Sequence, residues 1–152
     1  MAANTIRLTS NLPRGISFIL LLLMGCASPM LMLTTSAERE DSTPFREFRE
    51  LIPTPGIVFN TSSRSTVTVL FNAEARVSRK GESLQVQILI DGRSANPRFA
   101  VLTTDDEYTA RTYSAFLADV PSGTHRVIVR WRVSAGLGFL RNRSLTVWAT
   151  PE

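Results

Sequence analysis

The 152-residue chain contains one cysteine, Cys26, and one histidine, His125. Cys26 lies in an apolar N-terminal stretch, so the rest of the chain has no disulfide and must be stabilised by an apolar core. Zinc sites need several histidine or cysteine ligands, which this sequence does not supply. A Ser-His-Asp triad would have to use His125, and no Gly-x-Ser-x-Gly motif is present. We therefore predict no metal, no cofactor and no catalytic residue, with His125 closing a turn or packing on the end of the fold.

Acidic residues form only one cluster, Asp105–Glu107. A calcium site would have to take its oxygen ligands from such a loop. We expect this cluster to be a solvated loop, and no paired carboxylates for glycoside hydrolysis stand out elsewhere.

The formal net charge is +4 and the isoelectric point is near 10.2. Without Arg7 and Arg14, which precede the apolar stretch, 15 basic residues stand against 13 acidic ones, a net charge of +2. The remaining basic residues are interspersed with acidic ones and form no basic run. This pattern argues against nucleic-acid binding.

Residues 1–37 resemble a targeting segment, because a positive flank precedes an uncharged stretch from Gly15 to Ala37. Three outcomes are open. Leu23–Cys26 resembles a bacterial lipoprotein box, in which Cys26 would be lipidated. Cleavage after Ala37 would release a secreted protein, and an uncleaved Gly15–Leu33 approaches the length of a membrane anchor. Each outcome predicts export, with the product either held at a membrane through its N-terminal segment or secreted.

The rest of the chain is predicted to form a charged tether and first short element over residues 38–56 and one folded domain over residues 57–150. Pro44–Ile52 fits two structures. Thr43 is a suitable N-cap for a helix that begins at Pro44, and the same residues also suit an edge strand.

Alternation of apolar and polar residues predicts antiparallel strands over Ser65–Ser78, Ser83–Asp91 and Thr124–Val133. Their predicted inward residues are Val67, Val69, Phe71, Ala73, Ala75, Val77, Leu84, Val86, Ile88, Ile90, Val127, Val129, Trp131 and Val133, and Leu145 and Val147 follow in the last strand. Tyr108–Val120 has a weakly apolar first half, which predicts an edge strand in which Tyr113 faces away from the core. Roughly eight evenly spaced strands predict an all-β, jelly-roll-like antiparallel β-sandwich preceded by an N-terminal signal or anchor helix.

Four segments carry a resemblance to known proteins. They are Phe71–Ala75, Val86–Gly92 with the following Pro97, Gly123–Val127, and Arg143–Val147. Together they resemble bacterial exported single-domain proteins with a jelly-roll sandwich of the tumour-necrosis-factor-like type, over most of residues 57–149. The resemblance implies that fold and a possible homotrimer, and it implies no site and no activity.

One surface is predicted to bind a ligand. Its members are the outward-facing arginines of the last two long strands and one aromatic residue: Arg126, Arg130, Arg132, Arg141, Arg143 and Trp148. If the two strands are adjacent, the arginines form a stripe that suits carboxylates or sulfates. A solvated face balanced by Glu74 and Asp119 is the alternative. We predict a non-enzymatic protein that contacts an unknown protein partner at the cell envelope, or alternatively a carbohydrate-binding module.

Overall fold

The computed structural model describes residues 31–51 and 56–152, and within them every regular element is a β-strand. The strands are β1 Leu31–Ala37, β2 Asp41–Thr43, β3 Arg49–Glu50, β4 Ile57–Thr61, β5 Ser65–Val77, β6 Leu84–Ile90, β7 Arg93–Ser94, β8 Ala100–Thr103, β9 Thr109–Val120, β10 Gly123–Val133 and β11 Gly138–Pro151. These residues contain no helix with the length and hydropathy needed to cross a membrane. The predicted signal or anchor helix and Cys26 lie outside the described residues, except that residues 31–37 form β1.

Two antiparallel sheets form the fold. Sheet A has the order β1-β11-β5-β9, and β2 continues the edge of β11 beyond β1. Sheet B is built on β10, which pairs with β6 on one side and with β3 and β4 on the other, while β6 also pairs with β7 and β8. The predicted all-β antiparallel architecture is confirmed for the described part of the chain.

The core lies between the two sheets and follows the period of two that antiparallel strands impose. All of the inward residues predicted for β5, β6, β10 and β11 are buried, and Phe71, Leu84 and Ile88 have no exposed surface. Full burial of a valine, leucine or phenylalanine side chain contributes about 1.5–3 kcal/mol. A largely apolar interior therefore holds the sheets together without a disulfide.

The predicted orientation of β9 is wrong. Tyr113 and Ala115 face the core, with 4% and 2% of their surface exposed, whereas Phe116 is 45% exposed. The cause is an irregularity in the pairing with β5, where Val67 opposes Leu117 but Ser65 opposes Val120. Asp119 has a φ of 56° at this bulge. The extra residue shifts the alternation by one position, so that the residues before the bulge face the side opposite to the one predicted by counting back from Val120. The predicted edge position of β9 is confirmed.

Residues 31–51 contribute strands to both sheets. All seven residues of β1 pair with β11, and β2 pairs with Gly138–Leu140 of the same strand. Backbone pairing and the inward side chain of Thr43, which is 1% exposed, place both segments in sheet A. The domain bounds expected from the sequence stay a prediction.

Pro44–Ile52 was expected to form either a helix or an edge strand, and its described part, residues 44–51, contains no helix. Thr43 Oγ1 accepts the backbone N–H of Phe45 at 3.2 Å, which ends β2 in a turn. Arg49–Glu50 then pairs with β10, and Leu51 is buried. The edge-strand alternative is therefore confirmed for residues 49–50, and residues 52–55 lie outside the described part.

Candidate functional site: an arginine-rich groove on sheet B

A groove of about 590 Å³ lies on the outer face of sheet B. Its floor comes from outward residues of β6 and β10, and its sides come from the loop before β3, the β6–β7 turn and the segment before β8. We call it the arginine groove, and its lining residues are Arg46, Glu47, Phe48, Gln87, Leu89, Gly92, Ser94, Arg98, Phe99, Arg130 and Arg132.

Two loops from distant parts of the sequence meet over Arg132. The ring centroids of Phe48 and Phe99 are 6.1 Å apart and their planes are tilted by 51°. The guanidinium carbon of Arg132 lies 4.4 Å from the Phe48 centroid and 5.7 Å from the Phe99 centroid. Cation–π attraction therefore orients this guanidinium and links the two loops.

Three of the groove arginines, Arg46, Arg130 and Arg132, donate hydrogen bonds to uncharged acceptors. Arg132 Nε donates to Gln85 Oε1 at 2.9 Å, and Arg46 Nη1 donates to the carbonyl of Ser134 at 3.0 Å. Arg130 donates to the carbonyl of Phe48. These contacts fix the geometry of the guanidinium groups and leave their charge in place.

None of the four groove arginines (Arg46, Arg98, Arg130 and Arg132) forms an ion pair with another described residue. The thirteen aspartates and glutamates all lie within residues 38–152, so every side-chain carboxylate of the protein belongs to the described part. Glu47, the one acid in the lining, lies 3.8 Å from Arg49 instead. Four positive charges against one negative charge give the groove a positive charge balance, and such a surface attracts anions.

The predicted arginine stripe does not exist as one surface, because β10 and β11 belong to different sheets. Arg130 and Arg132 line the groove, while Arg126 lies outside it and pairs with Glu50 at 3.0 Å. Arg141 lies on sheet A, where its Nε is 2.7 Å from Glu74 Oε2. The Glu74–Arg141 ion pair agrees with the alternative in which Glu74 balances an outward arginine. Hydrogen bonds from Asn142 and from Arg141 lower the pKa of the Glu74 carboxyl.

Arg143 is buried, with 2% of its surface exposed, and therefore cannot contribute to a binding face. The pairing of β11 with β5 is irregular between Arg141 and Ser144, and Asn142 has a φ of 47° there. This bulge turns Arg143 inward, where its Nη1 lies 2.5 Å from Asp41 Oδ2 of β2. Arg143 is thus a structural ion-pair residue, and its predicted place on the ligand face is wrong.

The two aromatic residues predicted to be exposed lie away from the groove. Trp148 lies on the outer face of sheet A and is partly exposed, so the orientation predicted for it is confirmed. Tyr113 is buried and donates its hydroxyl to the carbonyl of Pro97. Burial raises the pKa of the Tyr113 phenol.

His125 closes the turn between β9 and β10, as predicted. Its Nε2 lies 2.9 Å from the carbonyl oxygen of Pro121 and 3.0 Å from Thr61 Oγ1, and its Nδ1 lies 2.6 Å from Asp91 Oδ2. The Thr61 hydroxyl donates to the same Pro121 carbonyl at 2.7 Å. Burial opposes ionisation of Asp91, but hydrogen bonds from the Arg126 amide and from His125 outweigh it and lower the pKa of Asp91.

Within the described residues, no three His, Cys, Asp or Glu side chains come together in a way that would hold a metal ion. Asp105, in the loop considered for calcium, lies 3.0 Å from Arg111 and so forms an ion pair.

The arginines and aromatic residues of the groove that sequence analysis did not identify are Arg46, Phe48, Arg98 and Phe99. Each is half of an arginine–aromatic pair in a loop, in Phe45–Phe48 and in Arg98–Phe99. Such pairs are only a weak sequence signal of a binding site. About fifty residues separate the two pairs, so only the sheet topology brings them into contact.

No protein-family model matches the chain, and no curated protein matches it. Among solved structures it is similar to the infectious bursal disease virus VP2 subviral particle, with a TM-score of 0.52 and 12% identity over 95% of this chain and 37% of that chain. This likeness shows the fold alone, an all-β, jelly-roll-like sandwich. The chain spans little more than a third of that protein.

Two further structures have lower scores. The CBM36-1 domain of a multidomain xylanase from the hindgut metagenome of Trinervitermes trinervoides has a TM-score of 0.39 and 8% identity, over 74% of this chain and 95% of that one. Dimeric latent PorU from Porphyromonas gingivalis has a TM-score of 0.45 and 11% identity, over 82% of this chain and 13% of that one.

Proposed function

We propose that this protein is a non-enzymatic binding module of the cell envelope, and that its arginine groove binds an anionic polysaccharide. The observation that carries the proposal is the set of four groove arginines without a carboxylate partner. Guanidinium groups bind carboxylates and sulfates through paired hydrogen bonds, and neutral contacts already orient Arg46, Arg130 and Arg132.

The chemistry of the lining favours a glycan over an acidic protein. Protein interfaces usually have an apolar centre, whereas the floor of the groove carries Gln87 between Arg130 and Ser94. Gln87 Nε2 donates to Ser94 Oγ at 3.1 Å, so an amide and a hydroxyl lie beside the guanidinium groups. A hydroxyl-rich chain with regularly spaced acidic groups matches this mixture of polar partners. Contact with an acidic protein partner is the competing outcome.

A titration experiment with the full chain in mild detergent tests the proposal. The probes are polygalacturonate, dextran sulfate, unmodified dextran and polyglutamate, followed by calorimetry. We expect polygalacturonate or dextran sulfate to bind, with weaker or no binding of polyglutamate and no binding of dextran at the groove. The first two probes distinguish carboxylate from sulfate as the preferred group.

The decisive variants are Arg130→Ala and Arg132→Ala, which we expect to weaken polyanion binding at least tenfold because each removes one or two charge-assisted hydrogen bonds. Arg126→Ala is the matched control, since Arg126 lies on the same strand but pairs with Glu50 outside the groove. Equal binding by all three variants, or a preference for polyglutamate, would overturn the proposal.

The arrangement around His125 supports a non-enzymatic function. The hydroxyl that contacts the imidazole belongs to Thr61, which is 8% exposed and donates to Pro121. A nucleophile must reach a substrate, and this hydroxyl is enclosed and already bonded. The proposal predicts no hydrolysis of bound glycan, which reducing-end assays of the titrated mixtures would detect.

We also propose export with lipidation at Cys26. The pairing of β1 supports this outcome over cleavage after Ala37, because cleavage there would remove seven paired residues from the edge of β11. It would also remove Leu31 and Leu33, which pack against the core. Mass spectrometry of the mature N-terminus distinguishes the outcomes. An N-terminus at Glu38 would contradict the proposal, as would persistent lipid labelling of Cys26→Ser. A homotrimer stays a prediction of the resemblance.

A further inference from the structure

The outer face of sheet A contains a block of twelve residues without a single charge. Across four strands the partners form three rows, which are Met32–Trp148–Thr68–Phe116, Thr34–Thr146–Leu70–Ser114 and Ser36–Ser144–Asn72–Thr112. All twelve side chains are at least partly exposed, while the alternating residues of β5, β9 and β11 face the core. We call this block the uncharged face. We infer that it is a second binding surface, and that its ligand is an uncharged polysaccharide.

The size of the face suits a polymer chain. Strands lie about 4.8 Å apart and alternate residues about 6.8 Å apart, so four strands and three rows cover roughly 14 Å by 14 Å. One fifth of the residues of the protein are charged, and charged residues concentrate on surfaces. Their exclusion from so wide an exposed area is therefore a specific property of this face.

Ion pairs border the uncharged face at two ends. Beyond the row of Asn72, Arg141 Nε lies 2.7 Å from Glu74 Oε2. Beyond the row of Trp148, Arg64 Nη1 lies 2.6 Å from Asp119 Oδ1. Each of these two ion pairs is neutral overall, and no charge lies within the twelve residues, so an uncharged ligand loses no ionic hydration on binding.

Hydroxyl and amide groups on the face are already ordered by bonds to one another. Thr34 Oγ1 and Thr146 Oγ1 are 3.1 Å apart, and Asn72 Nδ2 donates to Ser144 Oγ at 3.1 Å. Thr112 Oγ1 donates to Asn72 Oδ1 at 2.7 Å. A hydroxyl has one donor and two acceptor positions, so these groups keep hydrogen-bonding capacity for sugar hydroxyls.

One row supplies an apolar platform. Trp148 is partly exposed and lies between Met32 and Thr68, and Phe116 at the end of the row is 45% exposed. Aromatic rings offer a broad, rigid apolar surface that packs against the C–H face of a sugar ring. A row that contains two aromatic rings, beside rows of hydroxyls, matches both faces of a neutral sugar chain.

A second copy of the protein is a weaker match for this surface. Sheets that pack face to face bury interdigitated apolar side chains, and eight of the twelve residues here are polar. The inference is independent of the arginine groove, because the two surfaces lie on different sheets and share no residue.

Titration of the full chain in mild detergent with laminarin, soluble mannan and soluble xylan tests the inference. We expect at least one of these neutral glycans to bind. Trp148→Ala removes one of the two rings, and Thr146→Lys places a charge at the centre of the face while leaving the core intact. Each variant should weaken that binding at least tenfold, whereas the groove variant Arg132→Ala should leave it unchanged.

Three results would overturn the inference. The first is the absence of binding to all three glycans, and the second is binding that both Trp148→Ala and Thr146→Lys leave unchanged. The third is a sedimentation experiment in which Thr146→Lys converts a dimer into a monomer, which would make the face a contact between copies. Polygalacturonate binding by the same variants should be unaffected, so failure here and failure of the groove proposal are distinguishable.

Discussion

Asp91 and His125 connect two turns at one end of the sandwich, with Asp91 Oδ2 2.6 Å from His125 Nδ1. The other carboxylate oxygen, Oδ1, accepts the backbone N–H of Arg126 at 2.8 Å. Asp91 begins the turn from β6 to β7 with a φ of 50°. Gly92 of this turn and Ser94 of β7 line the arginine groove. The pair therefore holds one side of the groove in position.

This pair makes part of the stability dependent on pH in the acid range. The pKa of Asp91 is lowered in the folded protein, because the bonds from Arg126 and His125 outweigh the effect of burial. A carboxyl group with a lowered pKa stabilises the fold above its unfolded pKa, about 3.9, and this contribution is lost as the pH falls through the folded pKa.

Asp91→Asn should therefore destabilise the protein at neutral pH by up to about 1 kcal/mol, a small value because the carboxylate is 42% exposed and screened by solvent. The variant should also lose less stability than the parent below about pH 4. Urea unfolding at neutral and acid pH measures both effects, and Asp106→Asn in the exposed loop is the control. Parallel acid curves for parent and Asp91→Asn would contradict the assignment.

The buried ion pair between Arg143 and Asp41 predicts a larger effect. Asp41→Asn would leave a guanidinium with 2% exposure without its counter-charge, which costs about 3 kcal/mol. The free energy of unfolding from urea titrations measures this loss. Glu38→Gln, a nearby exposed change of the same charge, should cost less than about 0.5 kcal/mol. Equal stability of the two variants would show that Asp41 is not the required partner.

Gly136 and Gly81 provide a matched pair that separates backbone strain from crowding. Gly136 has a φ of 57° and Gly81 a φ of 90°. A Cβ added at Gly136 would clash with Ser78 Oγ, whereas a Cβ added at Gly81 would have no neighbour within 4 Å. Gly81→Ala should cost about 1 kcal/mol from the left-handed backbone alone.

Gly136→Ala should cost about 1–3 kcal/mol more, because Ser78 must move. Ser78 Oγ accepts the N–H of Leu137 at 2.9 Å and donates to Glu82 at 3.0 Å, so the movement breaks two hydrogen bonds. Thermal unfolding of both variants checks the difference. Equal melting temperatures would mean that the loop adapts without cost.

Sequence periodicity predicts the core well, because a period of two is a direct consequence of strand geometry. Every inward residue predicted for β5 and β6 is buried. The same rule fails at Tyr113 and Arg143, since a bulge near each shifts the alternation by one residue. Neither bulge has a glycine to mark it, because Asp119 and Asn142 adopt the positive φ values.

The site was less predictable than the core, because it depends on which strands become neighbours. The short link between β10 and β11 suggests a hairpin, yet it carries the chain from one sheet to the other. Arg132 and Arg141 are close in sequence but lie on opposite sides of the sandwich. Phe48 and Phe99, distant in sequence, lie against the same guanidinium.

The two proposed surfaces should respond differently to salt. Binding at the arginine groove depends on charge, so its affinity for polygalacturonate should fall at least tenfold from about 50 mM to about 500 mM sodium chloride as screening increases. Affinity of the uncharged face for a neutral glycan should change less than twofold. Arg98→Gln removes one groove charge and breaks no hydrogen bond to another described residue. The variant should reduce the salt dependence of polygalacturonate binding and leave the binding of neutral glycans unchanged. Titrations at several salt concentrations measure both slopes. If polygalacturonate affinity were independent of salt, the arginines would not be its binding groups.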